Sequence, residues 1–240
     1  VYSSLLIGSI IILLPAKDVG FTGSSLFNAE MLVKTLTRYR PNSLILLPHL
    51  LASLLSIIEQ GLIDDLDELG CLKFIAVGGG KVSPTNLILA KKFGLPVFEG
   101  YGLSESASVV CLNTEQYQRI GSVGKLLPHI SAVIASDGEL IINGQTFLGY
   151  LNEPSSWYPK FLATGDLCRV DQDGFLFISG RKKNLLISSF GRNISPEWVE
   201  STLQQAASIK QCVVFGDAQP FCVALIKATS ESISHQQIAA

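Results

Sequence analysis

Residues 72–106 read LKFIAVGGGKVSPTNLILAKKFGLPVFEGYGLSES and contain the pattern that decides the fold. The apolar run at 72–77 predicts a buried strand, and three glycines separate it from a helix with Ser83 as its cap and Pro84 at its first position. A second short strand at 96–99 leads into another loop that contains glycines. A repeated order of strand, glycine loop and helix is typical of a parallel sheet covered by helices, which binds ligands at the carboxyl ends of its strands.

The residues before this stretch extend the same interpretation. A strand is predicted at 43–47 and an apolar helix at 48–60, which Gly61 ends. The apolar run at 5–14 is only about half the roughly twenty residues that a membrane-spanning helix needs. We expect it to be a buried helix end that continues into a strand.

The residues after Pro128 follow a different pattern. Segments 130–142 and 167–178 each alternate around an Asp-Gly turn, which predicts two antiparallel hairpins and a small β subdomain. A helix at 195–206 and strands at 211–215 and 222–226 then predict a partial α+β unit. The fold class is therefore α/β, with an added antiparallel β subdomain and a partial α+β region.

Composition excludes several classes of function. The 240 residues carry a net charge of -2, so no dominant positive surface is available for nucleic acid or for an anionic membrane. Hydrophobic residues make up 48% and charged residues 16%, which indicates a folded, core-rich chain. The five cysteines are scattered without a CxxC pair, which argues against zinc and disulfide frameworks and favours a reducing compartment, the cytoplasm.

Two glycine loops carry candidate functional residues. The loop at 76–84 either lets bare backbone approach a flat or phosphorylated ligand or is only a tight turn that needs positive φ. In the loop at 98–106, Glu105 is able to bind magnesium, Ser104 to donate to a phosphate oxygen and Tyr101 to stack on a base. The alternative for this second loop is a polar surface turn.

Asp166 and Arg181 form a third candidate. Each lies beside a predicted hairpin strand, Asp166 after an irregular segment and Arg181 in the sequence GRKK. Together they either make an ordinary surface pair, which contributes little stability, or clamp the two hydroxyls of a ribose.

The two glycine loops, the Asp166 segment and the Arg181 segment together carry a resemblance to a known family, and the strongest match is in GYGLSES at 100–106, TGD at 164–166 and GRKKNLLISSFGRNISPEWVE at 180–200. In order and spacing they resemble the adenylate-forming, AMP-binding superfamily of acyl-CoA synthetases, luciferases and nonribosomal-peptide adenylation domains. The third string is most similar to long-chain fatty acyl-CoA ligases. The resemblance covers roughly residues 40–226.

The resemblance implies a role for each matching residue. Gly79 and Gly80 would line one face of adenine. The other side and edge of the base would meet Glu99, Gly100 and Tyr101. Ser104 would contact the α-phosphate and Glu105 would bind Mg²⁺, and these two residues are the catalytic candidates. Asp166, assisted by Arg181, would bind the ribose. Lys183 would be the domain hinge, and Gly191 would lie beside the thiol tunnel.

The resemblance also implies a domain division. Residues 1–129 would be the α/β part of the large AMP-binding domain, and 130–181 its β subdomain. Residues 182–183 would be the hinge, and 184–240 a partial C-terminal mobile domain. We expect a chain that is truncated at both ends.

The implied reaction is an ATP-dependent acyl transfer in two steps. A carboxylic acid, of fatty-acid type, would attack the α-phosphate of ATP to give acyl-AMP, and the thiol of CoA or of a carrier protein would then displace AMP. The sequence lacks the family's phosphate loop of the type YTSGTTGxPKG and its C-terminal PxTxxGK lysine. Because both stabilise transition-state charge, we expect severely reduced catalysis by this polypeptide alone.

Three hypotheses follow from these observations. The first is a partial AMP-forming acyl-activating ligase. The second is a non-catalytic remnant that binds an adenylate or only a partner protein. The third is an unrelated α/β binding domain. It would be favoured if substitutions at Asp166 or Glu105 had no effect on the affinity for any ligand.

Overall fold

The computed structural model describes residues 6–22, 26–62, 69–144, 146–206 and 208–229. The chain divides into two units. The first comprises residues 1–77 and 88–97, and the second comprises 78–87 and 98–240.

The first unit alternates helices with short strands, as the sequence predicts. Its elements are β1 Phe21–Thr22, β2 Leu26–Phe27, α1 Ala29–Tyr39, β3 Ser43–Leu46, α2 Pro48–Glu59 and β4 Phe74–Val77. Strands β3 and β4 pair in parallel, with Ser43 opposite Phe74 and Leu46 opposite Val77. The predicted parallel arrangement is therefore confirmed for this pair.

Side chains of helix α2 form a large part of the core of the first unit. This helix is apolar on most of its surface, and five of its side chains are buried: Leu50, Leu51, Leu54, Leu55 and Ile58. Pro48 stands at its first turn, where the missing N–H has no intrahelical partner to lose. Burial of these side chains, at about 25 cal/mol per Å² of apolar area, is the main stabilising contribution of the helix.

The prediction for the apolar run at 5–14 is wrong over its described residues. From residue 9 to residue 15 the backbone has no regular structure. Leu6, Ile7, Ile10 and Leu13 are each at least four-fifths exposed. An apolar sequence creates a preference for burial, but burial also needs a facing surface, and the described part of the chain provides none here.

Helix α3, Pro84–Lys92, begins in residues of the second unit and ends in residues of the first. The remaining elements are β5 Val97–Tyr101, β6 Cys111–Leu112, β7 Lys125–Leu126, β8 Ser131–Ile134, β9 Glu139–Asn143, β10 Leu162–Val170, β11 Leu176–Arg181, β12 Leu186–Ile187, β13 Asn193–Ile194, α4 Pro196–Leu203, β14 Ile209–Phe215 and β15 Val223–Ala228. Strand β5 pairs with β6 in the antiparallel sense, and a 3-10 turn follows β5 where a second helix was expected.

Strands β8 to β11 form one antiparallel sheet in the order β11-β10-β9-β8. The two predicted hairpins are confirmed, with turns at Gly138 and Gly174 that have φ of +87° and +83°. The expectation that Thr164-Gly165-Asp166 precedes a strand is wrong. These residues lie inside β10, where the pairing with β9 shifts register between Ala163 and Leu167. A bulge of this kind redirects side chains without ending the strand.

The residues from α4 to β15 form the predicted α+β arrangement. Strands β14 and β15 pair antiparallel, and helix α4 packs against β14. The side chain of Ser195 caps α4 by accepting a hydrogen bond from the backbone amide of Trp198, as the Ser-Pro-Glu sequence predicts. The Glu200 carboxylate accepts a hydrogen bond of 2.9 Å from the backbone amide of Val214, which fixes the helix to the strand.

Candidate functional site

A cavity of about 510 Å³ lies within the second unit. Its wall includes the glycine loop before α3, the end of β5, Asp166 of β10, the end of β11 and helix α4. Seven of the predicted site residues line this cavity: Gly79, Gly80, Glu99, Gly100, Tyr101, Asp166 and Arg181. The fold therefore brings together residues that are up to about a hundred positions apart in sequence.

Close packing favours glycine at Gly100 in this wall and at Gly78, next to the wall in the loop. A Cβ atom on Gly78 would lie 2.9 Å from the carbonyl oxygen of Gly100, and one on Gly100 would lie 3.1 Å from that of Cys111. Gly79 has a φ of +79°, which other residues rarely adopt. The loop is thus a tight turn, and its backbone at Gly79 and Gly80 also borders the cavity without a side chain.

Asp166 has a hydrogen-bond donor on each oxygen. Its side chain is buried, with the residue 3% exposed. The Nε of Arg181 lies 2.7 Å from Oδ1, and the Tyr101 hydroxyl donates to Oδ2 at 2.6 Å. Asp166 and Arg181 are direct neighbours across the β10–β11 ladder, so the pairing of the two strands sets their contact. The pair is therefore buried at its acidic end and is not an ordinary surface pair.

Burial dominates the electrostatics of this group. It raises the pKa of Asp166, although the Tyr101 hydrogen bond and the Arg181 charge both act to lower it. Burial, reinforced by the hydrogen bond to Asp166, also raises the pKa of Tyr101. The raised pKa of Tyr101 keeps its phenol protonated at physiological pH, so the phenol serves as the donor to Asp166.

The backbone around Asp166 is held by further hydrogen bonds. The Thr164 hydroxyl donates to the carbonyl of Leu140 at 2.9 Å and accepts from the amide of Asp166 at 3.1 Å. The amide of Gly165 donates to the Glu139 carboxylate at 2.9 Å. These contacts satisfy the polar groups at the bulge and hold the carboxylate of Asp166 in one position.

Glu99 is buried to a similar degree but is partnered differently. It is 5% exposed and lines the cavity, and the backbone amide of Val82 donates to its carboxylate. Its Oε2 atom has no hydrogen-bond partner among the described residues. Burial raises the pKa of Glu99 to about 8, against the effects of the Val82 hydrogen bond and the Lys81 charge. The side chain is thus mostly protonated at pH 7, with one donor and one acceptor to offer.

The cavity residues that the sequence interpretation missed include Lys81, Glu197 and Trp198. Burial lowers the pKa of Lys81, while the charges of Glu99 and Glu197 act to raise it. The available signal for Trp198 was helical spacing, because the positions three and four further along the helix also line the cavity. Only the tertiary packing of α4 shows that this face of the helix borders the cavity.

Ser104 and Glu105 form the 3-10 turn directly after β5. Within the described ranges, neither is among the residues that line the cavity. The Tyr150 hydroxyl donates to Glu105 Oε1 at 2.8 Å. Hydrogen bonding by its own backbone amide, and then by Tyr150, lowers the pKa of Glu105. This carboxylate is therefore ionised at neutral pH, and the pKa of Asp166 responds to its charge.

The described residues contain no cluster of three or more metal-ligating side chains. Magnesium is commonly held by one or two carboxylates and completes its coordination with substrate phosphates and water. An ionised single carboxylate such as Glu105 fits that mode of binding, in which a nucleotide supplies the other ligands.

Lys183 and Gly191 lie away from the main cavity. Lys183 borders a second, more open space of about 360 Å³ together with Gly165, Arg181 and Lys182. Gly191 has a φ of +73° in a turn closed by its own amide, which donates to the carbonyl of Ser188 at 2.8 Å. Of the predicted site residues, these two and the Ser104–Ser106 turn are the ones that the structure does not bring to the cavity wall.

None of the helices in the described ranges is both long and apolar enough to cross a membrane. No disulfide links the five cysteines, all of which lie in described parts of the chain.

Comparison with known proteins identifies the family. Residues 1–151 match the AMP-binding enzyme family, and residues 183–240 match the AMP-binding enzyme C-terminal domain. The chain is 42% identical over 144 residues to a long-chain-fatty-acid–CoA ligase of Mycobacterium bovis. This match covers 58% of the chain and 24% of the ligase.

Two solved structures of o-succinylbenzoate CoA synthetase from Bacillus subtilis share the fold. The complex with the acyl-adenylate OSB-AMP has a TM-score of 0.80 at 24% identity and covers 99% of this chain and 49% of that one. The complex with ATP and magnesium ion has a TM-score of 0.74 at 25% identity and covers 89% and 47%. The chain thus spans about half of these structures and about a quarter of the ligase. The predicted resemblance is confirmed, and the chain belongs to the AMP-binding enzyme family.

Proposed function

We propose that this chain carries the adenylate-binding part of an AMP-forming acyl-activating ligase of fatty-acid type. In the first step a carboxylate oxygen attacks the α-phosphorus of ATP, and pyrophosphate leaves. In the second step a thiol sulfur attacks the acyl carbonyl carbon, and AMP leaves. The thiol belongs to CoA or to a carrier protein. The identity to a long-chain-fatty-acid–CoA ligase supports the fatty-acid assignment.

One observation carries the proposal. A single cavity large enough for a nucleoside is lined by the glycine loop, Glu99, Tyr101, Asp166 and Arg181. These residues come from four separate sequence motifs, and the family resemblance assigns all of them to the nucleotide. Their convergence supports adenylate binding independently of the overall likeness in fold.

Asp166 is suited to bind the two ribose hydroxyls. A carboxylate has about four lone-pair sites, and Arg181 and Tyr101 use one on each oxygen. One site on each oxygen is left for a ribose hydroxyl, so the ligand need not displace either protein partner. The two existing contacts prevent rotation of the carboxylate, which lowers the entropic cost of binding.

The base has a complementary environment between the glycine loop and β5. Backbone at Gly79 and Gly80 lets a planar ring approach closely, because no side chain stands in the way. Glu99 lines the cavity, and its Oε2 has no hydrogen-bond partner among the residues that the structure describes. As a protonated acid it is able to donate to a ring nitrogen of adenine and accept from the exocyclic amine.

The phosphates would extend toward the turn after β5. There Ser104 would donate to an α-phosphate oxygen, and the ionised Glu105 would hold Mg²⁺ together with the phosphates. The ion supplies charge neutralisation for the polyphosphate when bound. We place the domain hinge at Lys183 and the thiol path beside Gly191, within the predicted division at residues 130, 182 and 184. The scattered cysteines, without disulfides, support a cytoplasmic location.

The test is a calorimetric titration of the 240-residue chain with a non-hydrolysable acyl-adenylate in magnesium buffer. We expect micromolar binding, which Asp166→Ala abolishes because it removes the ribose acceptor. The matched control is Asp173→Ala, which alters an exposed aspartate in the same hairpin, paired with Arg119 at 2.7 Å. The control should bind with unchanged affinity.

Two results would contradict the proposal. One is a folded wild-type chain that binds no adenylate, and the other is equal binding by the wild type and Asp166→Ala. The fatty-acid assignment is tested separately, by comparing analogues with long and short acyl chains. Equal affinity for both would remove its support while leaving adenylate binding intact.

A further inference from the structure

Helix α4 presents one face to the cavity. Trp198, Ser201 and Thr202 of the helix line it at i, i+3 and i+4, and Gln205 lines it from the turn beyond the last helical residue, Leu203. On a helix this spacing places side chains in one stripe. A segment that follows the adenylate motifs in sequence therefore supplies a whole wall of the cavity.

Two hydrogen bonds and one close approach fix the direction in which this face points. The Ser195 hydroxyl donates to the carbonyl of Ser179 in β11 at 2.8 Å, which anchors the start of the helix. A Cβ atom on Gly180 would lie 2.2 Å from the Ser195 oxygen, so only glycine permits this approach. On another side, the Glu200 carboxylate accepts from the amide of Val214. The helix is thus held at its start by β11 and along its length by β14.

The polar groups on the cavity face are largely occupied within the helix. The hydroxyls of Ser201 and Thr202 both donate to the carbonyl of Trp198 at 2.9 Å. The main group that this face offers to a ligand is therefore the indole ring of Trp198. Trp198 is 57% exposed, although an aromatic ring of this size gains stability from burial.

We propose that Trp198 is a ligand-binding residue whose indole ring packs against the planar base of an adenylate held in the cavity. This inference rests on the proposed function and adds a contact from α4 to those of the glycine loop and β5. An aromatic ring against a base is a favourable pairing that needs no particular hydrogen-bond pattern. The exposed indole would lose water contact when the ligand binds.

The two tryptophans of the chain make a direct test possible. In the Trp157→Phe variant, Trp198 is the only indole and reports on the cavity through its fluorescence. We expect AMP in magnesium buffer to quench this emission in a saturable way. Ribose 5-phosphate, which has no base, should leave the emission unchanged at the same concentrations.

Affinity provides the second measurement. Calorimetry with AMP should show a loss of about tenfold in Trp198→Ala, since stacking on a base contributes roughly that much. Trp198→Phe should retain most of the affinity because it keeps an aromatic ring. The matched control is Trp157→Ala, the same substitution at a tryptophan that is 51% exposed and does not line the cavity. Its affinity for AMP should equal that of the wild type.

The outcomes separate this inference from the proposed function. If AMP binds by calorimetry but Trp198 emission and the affinity of Trp198→Ala are unchanged, the role of Trp198 is overturned and adenylate binding stands. Quenching by ribose 5-phosphate equal to that by AMP would also overturn it, because the contact would not involve the base. If the folded Trp157→Phe and wild-type chains bind no AMP, both proposals fail.

Discussion

Two buried carboxylates border the same cavity, and their surroundings differ. Asp166, on the β10–β11 ladder, has a donor on each oxygen, from Arg181 and from Tyr101. Glu99, on β5, receives one backbone hydrogen bond and has a second oxygen with no partner in the described parts of the chain. Burial raises the pKa of both groups, but among the described residues only Asp166 has a cationic partner in direct contact.

One cavity thus uses the same chemical group, a buried carboxyl, in two ways. An ionised carboxylate is tolerated in a buried position when charge and hydrogen bonds compensate for lost water. Without that compensation a carboxyl group keeps its proton. The Asp166 region is therefore prearranged for a ligand that donates hydrogen bonds. The Glu99 region offers both a donor and an acceptor, and binding of a ligand would complete its hydrogen bonds.

The largest expected effect comes from Asp166→Asn. This change leaves Arg181 without its charge partner beside a buried amide, and we expect a loss of roughly 2 to 3 kcal/mol in the free energy of unfolding. The loss should be below that of a fully buried pair because Arg181 is 43% exposed and can reach water. Urea unfolding monitored by circular dichroism measures it.

The control for this change is Asp173→Asn, which weakens an exposed ion pair and should cost less than about 1 kcal/mol. Equal losses in the two variants would show that the Asp166 region contributes no more than a surface pair. The contrast between the two carboxylates would then have no energetic basis.

The second prediction concerns pH and Glu99. The pKa of Glu99 is about 8 in the fold and 4.5 as its ordinary value, so between these values the unfolded chain releases a proton that the folded chain keeps. This contribution to stability is complete below pH 4.5 and falls as pH rises, by about 1.4 kcal/mol for each pH unit up to about 8. Glu99→Gln removes the dependence, so its stability should decline less steeply.

The measurement is urea unfolding of the wild type and Glu99→Gln at pH 5.5, 6.5 and 7.5. Glu105→Gln serves as the comparison, because the pKa of Glu105 is lowered and the group is ionised throughout this range. It should keep the slope of the wild type. Parallel curves for the wild type and Glu99→Gln would contradict a buried, protonated Glu99.

The smallest expected effect is that of Tyr101→Phe. It removes the donor to Oδ2 of Asp166 but leaves the Arg181 contact, so we expect a loss of about 1 kcal/mol in the free energy of unfolding. Tyr158→Phe, at a tyrosine that is largely exposed, should cause no measurable change. A loss in Tyr101→Phe as large as that in Asp166→Asn would show that the phenol, and not the guanidinium, stabilises the carboxylate.

Local patterns predicted most of the elements. Helix α2 and the cap of α4 at Ser195 follow from apolar periodicity and from Ser-Pro pairs, and both are confirmed. The two hairpins follow from Asp-Gly turns, which favour positive φ. The errors occur where a neighbouring strand decides the outcome, as at Asp166, which pairs with Arg181 inside β10. The prediction of a buried segment at 5–14 is wrong because hydrophobicity alone does not supply a facing surface.

The sequence by itself determined the family and the types of side chain available to the site. Motifs such as GYGLSES and TGD are contiguous, so they are recognised without knowledge of the fold. Only the tertiary structure decided which carboxylate is paired, which one keeps a proton, and that Trp198 faces the cavity. Tyr101 and Asp166 are 65 residues apart, and their contact exists only after β5 and β10 have packed. Burial and charge partners are properties of that packing, and they control pKa values and ligand geometry.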